Sequence, residues 1–139
     1  MIQIRKNQRQ HISDNQEYLS IGYKHQGQYI TKTQILYIEA CESYSWIYLR
    51  NGSRMLSSKT IGVYEEFFSE DNFTRIHRSY LINLSHLKRY EPRYRLMHLK
   101  GEIVLPVSHR KNRLISKMMS NKKSKTPLRP TKGKLTIES

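Results

Sequence analysis

Residues 73–84 read FTRIHRSYLINL. Phe73, Ile76, Leu81 and Leu84 are spaced as inward anchors, and Arg75, His77, Arg78, Ser79 and Asn83 fall between them as an outward polar display. The stretch reads as a strand over 73–78 entering a turn at Ser79–Tyr80, with the next link beginning near Asn83 and Ser85. Polar side chains fixed in this way on a small apolar frame suit an anionic partner.

The charge balance points the same way. Of 139 residues, 25 are Lys or Arg and 11 are Asp or Glu, which gives a formal charge of +14. So large a charge opposes compaction by self-repulsion, and it is expected where the partner is a polyanion. Nucleic acid comes first and an anionic membrane surface second. The length suits one domain with tails. Cys41 is the one cysteine, so no internal disulfide can form, in keeping with a reduced compartment. No apolar run approaches bilayer length, and the polar start MIQIRKNQRQHISDN has no apolar stretch for a signal peptide. A cytoplasmic protein with no membrane partner is the expectation.

Period-2 patterning runs through most of the chain. Residues 1–17 are polar and aperiodic, and read as a loose arm. Strands are expected over 18–23 and 28–32, joined by a hairpin turn at 24–27. The run QILYIEA, residues 34–40, is continuously apolar at its centre, as in a strand buried on both faces. In SYSWIYLR, residues 43–50, Ser45, Ile47 and Leu49 alternate with Tyr44, Trp46 and Tyr48. Asn51–Gly52 is a strong hairpin signal, and 54–58 returns as the partner strand. From Thr60 the period changes: Ile61, Tyr64, Phe67 and Phe68 follow helical spacing, with Ser58 or Thr60 as the expected cap. The acids Glu65, Glu66, Glu70 and Asp71 are read as holding this helix away from a polyanion. Further strands are expected at 87–90, 95–99 and 102–107, the last two turning at Lys100–Gly101, with Pro92 interrupting the pairing. A helix is expected over 112–119. Residues 120–134 are rich in Lys, with Pro127 and Pro130, and read as a disordered basic tail. The chain thus divides into an arm (1–17), a domain (18–119) and a tail (120–139).

Catalytic chemistry finds little support. There is no glycine-rich phosphate loop and no nucleophile elbow at Ser79 or Ser108. The six histidines lack metal-ligand spacing and one cysteine cannot build a thiolate zinc site. No enzyme activity, metal or cofactor is expected. The basic residues say more. Residues 75–113 hold ten Lys or Arg against two acids, Glu91 and Glu102. Many fall at expected turns and strand ends, where they can reach phosphate, and arginine can also grip guanine with two hydrogen bonds. No helix reads as a basic recognition helix, so base contacts on a duplex would come from turns and from the start of the last helix. Ten tyrosines and Trp46 interleaved with arginine keep a second reading open, a general RNA or single-strand binding module using base stacking. Strand formation explains the same aromatics at least as well.

Five blocks then fall in order: ILYIEA (35–40), SYSWIYLRNG (43–52), SSKTIGVYEEFF (57–68), FTRIHRSYLINL (73–84) and LPVSHRK (105–111). Together they resemble a LytTR DNA-binding domain over roughly 19–119. The resemblance implies a mostly β fold, an elongated arrangement of about ten strands in small antiparallel sheets with one or two short helices. It implies a bacterial transcriptional regulator, commonly of a two-component system, whose loops enter successive major grooves of tandem direct repeats. Base contacts would fall to Ser43 and Tyr44 (with Glu42 beside them), to Arg78, and to His109 with Arg110. Phosphate contacts would fall to Lys59, Arg75, Ser79, Asn83, Arg110, Lys111 and Arg113. His77, Ser79 and Asn83 can equally stabilise turns, and for His77 that reading is preferred. Double-stranded DNA is the implied partner, along with a second copy on the tandem repeat and a regulatory protein. Family members commonly carry an upstream receiver domain that accepts a phosphoryl group. The expectation here is a stand-alone regulator or a fragment of a longer one.

Overall fold

The computed structural model describes residues 3–5, 18–21 and 28–125. The chain forms two compact units, Met1–His86 and Leu87–Ser139. The fold is mostly β: among the described residues there are eleven strands in three antiparallel sheets, and two α-helices.

The first unit begins with a three-stranded sheet of β1 (Gln3–Arg5), β2 (Tyr18–Ile21) and β3 (Gln28–Thr31), in that order. Strand β1 lies within the expected arm and pairs with β2, Ile4 opposite Leu19. The expected turn at 24–27 lies outside the described residues, but β2 and β3 pair antiparallel on either side of it.

A five-stranded sheet follows, ordered β6-β5-β4-β8-β7. Its strands are β4 (Ile35–Cys41), β5 (Tyr44–Leu49), β6 (Arg54–Ser57), β7 (Phe73–His77) and β8 (Tyr80–Asn83). Helix α1 (Ile61–Phe67) lies between β6 and β7 in the chain. Strand β4 is central, and Ile35, Leu36, Tyr37 and Ile38 are all buried, as a continuous apolar run requires. Strand β5 shows the two sets read from its sequence: Ser45, Ile47 and Leu49 are buried while Tyr44 is exposed and Trp46 and Tyr48 are half-buried.

Ile38, Ile47, Leu49 and Leu81 form one cluster with Ile61 and Tyr64 of α1 and with Phe68 just beyond it. Each such aliphatic side chain contributes about 1.5–3 kcal/mol by leaving water. The Tyr64 hydroxyl is satisfied inside this core by a 2.6 Å hydrogen bond shared with Ser57. Burial pushes its phenol well above the usual range.

The second unit holds a sheet of β9 (Leu87–Glu91), β10 (Leu96–Leu99) and β11 (Ile103–Pro106), followed in the chain by α2 (His109–Lys125). Met97 and Leu99 of β10, Leu105, Val107 and Ile115 are buried. The β10–β11 turn falls at Lys100–Gly101, where Gly101 has φ 84°, a left-handed conformation that glycine adopts without steric cost.

Three expectations are corrected. Thr60 is the N-cap of α1, but neither its hydroxyl nor that of Ser58 makes a capping bond. Two of the four acids near α1 are ion-paired rather than a repulsive screen, Glu65 to Arg75 and Asp71 to Lys32. Helix α2 starts at His109, three residues before the expected start, and runs to Lys125 into the stretch read as tail. Ser108 provides the reason for the early start: its Oγ accepts the Lys111 N–H at 3.2 Å, satisfying a first-turn amide.

Candidate nucleic-acid interface

Two of the three expected reading points lie at one end of the five-stranded sheet. The hairpin of β4 and β5 closes with Cys41 opposite Tyr44, leaving Glu42 and Ser43 at its tip. Strand β8 starts opposite Glu39, two residues short of that tip. The turn at Arg78–Ser79 therefore sits beside the base of the first hairpin, and the Ala40 N–H donates to the Ser79 carbonyl at 2.9 Å. Ser43, Tyr44 and Arg78 are all exposed, Tyr44 at 47%. Glu42 has φ 55°, so the tip holds a non-glycine residue in left-handed backbone.

The Arg78 turn is braced from inside. The register of β7 shifts between Arg75 and His77, and this bulge sets His77 opposite Tyr80. The His77 Nδ1 accepts the Ser79 N–H at 3.0 Å. Burial, with Arg78 and then Arg75 nearby, holds the His77 imidazole below its ordinary pKa of 6.5, in the neutral form this acceptor role needs. Arg75 donates from Nε to the His77 carbonyl at 2.9 Å and from a terminal nitrogen to the Arg78 carbonyl at 2.7 Å. Its other terminal nitrogen meets Glu65 of α1 at 2.5 Å. The guanidinium thus fastens the turn to the helix.

Three of the five Arg75 donors face protein acceptors, so the side chain braces the turn as well as carrying charge. Asn83 sits in the frame. It is 3% exposed and its amide donates to the carbonyls of Ile35 at 2.9 Å and Lys32 at 3.3 Å. Its Oδ1 accepts the Ser85 N–H at 3.0 Å. Asn83 belongs to the frame, not to the display. Ser79 is half-buried, with both backbone groups engaged in the turn. His77 fits its structural reading.

Lys59 is held by two residues that the sequence did not single out for this role. Ser45 and Ser57 face each other across β5 and β6, both fully buried. The Ser45 hydroxyl donates to the Lys59 carbonyl at 2.7 Å, and the Lys59 N–H donates to the Ser57 Oγ at 3.0 Å. A serine in the inward set of β5 was the available signal.

The third expected reading point lies in the second unit. His109 and Arg110 open α2 and are exposed, as is Arg113, while Lys111 is half-buried. The β9–β10 turn is stitched to this helix start by Asn112. Its Nδ2 donates to the Pro92 carbonyl at 3.2 Å, and its Oδ1 accepts the Tyr90 hydroxyl at 2.7 Å. Arg95, in the same turn, lies 3.0 Å from His109 Nε2.

Some of the aromatics that would serve base stacking are turned on one another, while Tyr44 and Tyr94 are exposed. Tyr37 and Tyr48 stack at 4.4 Å, Tyr80 meets Tyr37 edge-on, and Arg54 covers Trp46 at 3.7 Å. Among the described residues no group of His, Cys, Asp and Glu could hold a metal ion, and no helix is long and apolar enough to cross a membrane.

The profile of the LytTr DNA-binding domain matches residues 28–120, more than half of the sequence. The chain belongs to the LytTr DNA-binding domain family. A solved LytTr domain, assigned to a methyl-accepting/DNA response regulator from Bacillus cereus, is similar in fold with a TM-score of 0.64 at 18% identity. The likeness covers 73% of this chain and 95% of that one. Among curated proteins none matches the sequence. The LytTr assignment makes this a DNA-binding chain, which a surplus of positive charge suits.

Proposed function

We propose that this LytTr chain is a sequence-specific regulator of transcription that binds duplex DNA by entering successive major grooves of promoter direct repeats. The observation that carries the reading is Arg78, exposed at the tip of a turn whose backbone is held by Arg75 and His77. A guanidinium presented on a rigid turn can form two hydrogen bonds with guanine while losing little freedom on binding. Ser43 and Tyr44 read beside it, and His109 with Arg110 supply the remaining base contacts. Lys59, Ser79, Lys111 and Arg113 supply contacts to phosphate, which set register and orientation. The reading carries a bacterial, cytoplasmic setting, a second copy on the neighbouring repeat, and a regulatory protein partner.

Selection of bound fragments from a random duplex pool at physiological salt tests it. A repeated motif should be enriched, and Arg78→Ala should lower affinity for that motif by about 1–3 kcal/mol with the fold intact. Failure to enrich any motif would overturn the proposal. So would an RNA competitor outbinding the best duplex at equal salt.

A further inference from the structure

We propose that Arg95 is a positioning residue for base recognition, fixing the tautomer in which His109 meets DNA. The inference rests on the regulator reading above and extends it to a residue in another loop. The contact is between an Arg95 terminal nitrogen and His109 Nε2, at 3.0 Å. A guanidinium carries donors and no acceptor, so Nε2 must be the acceptor and cannot bear the ring hydrogen. The hydrogen of the neutral ring then sits on Nδ1. Imidazole in water favours the opposite tautomer, so the contact selects the less common form. The hydrogen bond made by one ring nitrogen decides what the other can offer.

Arg95 is held well enough for this task. It has left-handed backbone, φ 55°, in the β9–β10 turn, and its carbonyl accepts the Val107 N–H at 2.9 Å. Asn112 ties the same turn to the first turn of α2 through the Pro92 carbonyl. The guanidinium is also placed at a cost. Its Nε is buried and has no hydrogen-bond partner. A charged donor left unpaired weakens the fold, so structural support alone is a poor account of the placement.

The chemical consequence is specific. His109 is exposed at the first residue of α2, and Nδ1–H is its remaining polar group. It can donate to O6 or N7 of guanine, to N7 of adenine, or to O4 of thymine. The amino edge of cytosine is itself a donor and finds no partner. Without Arg95 the ring becomes a mixture of tautomers and can also accept, so discrimination at that base relaxes.

The test has two arms. In 15N-labelled protein, well above the usual imidazole titration range, long-range proton–nitrogen correlation should show His109 in the Nδ1–H form. Arg95→Met should move it towards Nε2–H, and Arg95→Lys, which keeps a donor, should restore part of the native signal. A wild-type His109 in the Nε2–H form would overturn the proposal. In motif selection, Arg95→Met should cost about fivefold in preference at one base pair per repeat, the scale of one hydrogen bond, with the rest of the motif kept. Adding Arg95→Met to His109→Ala should relax that position no further. A uniform loss over all positions would overturn the inference, because it would mark Arg95 as a phosphate contact or a scaffold. If the wild-type protein enriches no motif, the regulator reading fails, while the nitrogen spectrum still decides the Arg95–His109 pairing.

Discussion

Within one twelve-residue stretch, 73–84, side chains of similar chemistry have opposite duties. Arg78 faces solvent while Arg75 is tied to two carbonyls and Glu65. Asn83 is buried and bonded at both ends of its amide. Asn83→Ala would leave the Ile35 carbonyl and the Ser85 N–H without these partners. It should lower unfolding free energy by about 2–3 kcal/mol, since unpaired buried groups cost about 1–3 kcal/mol each. Chemical denaturation checks this, and the folded fraction should bind DNA as before. His77 gives a pH prediction. Its folded pKa lies below the ordinary 6.5, so its contribution is complete above that value and is lost as pH falls towards the folded pKa. Protonation also removes the acceptor for the Ser79 N–H. The Ser79 amide should therefore lose protection from hydrogen exchange as pH falls through the folded His77 pKa, which lies below the ordinary value, relative to the amides of β8, with allowance for the intrinsic pH dependence.

Among the elements, the turns carry the proposed base contacts and the strands were the easier part to read. Period-2 alternation in 43–50 and the apolar run in 34–40 describe β5 and β4 closely, because each sheet has a buried face that fixes register. Strand β8 was hidden within what read as a turn followed by a link. The bulge in β7 explains why: it changes which residues share a face, and simple alternation carries no sign of it. Helix α2 exceeded its expected length because lysine is a good helix former, and composition read as tail is compatible with helix. At the β4–β5 tip, Glu42 sits at φ 55°. Left-handed backbone costs an ordinary residue about 1–2 kcal/mol, and glycine returns roughly 0.5–1 kcal/mol of that as chain entropy. Glu42→Gly should then raise stability by roughly 0.5 kcal/mol, seen as a small rise in the thermal midpoint.

At the scale of the whole molecule the dominant quantity is the charge of +14. Its sign and size were plain from composition, and they put nucleic acid first among partner classes before any fold was considered. Composition could not say which cations are available. Lys32 and Arg75 meet Asp71 and Glu65, and such pairings join residues far apart in sequence. Salt dependence separates the two groups. Each phosphate contact releases condensed counterions and adds about 0.9 to the slope of log affinity against log salt. Lys59→Ala and Lys111→Ala should each flatten that slope by about 1, whereas Arg75→Ala should leave it nearly unchanged and lower stability instead. Binding titrations across a salt series measure both. The LytTr blocks themselves were legible as a pattern, but their division of labour depends on burial, which letters alone do not carry.

The hydrogen bond from the Ala40 amide to the Ser79 carbonyl joins the bases of two turns. The loops that carry Tyr44 and Arg78 consequently share one mechanical footing. A change that tilts one will tilt the other, so on the proposed function the two cannot be retuned independently. On that reading, drift in the recognised sequence should proceed by paired substitutions across 42–44 and 78–79, each step compensating the last.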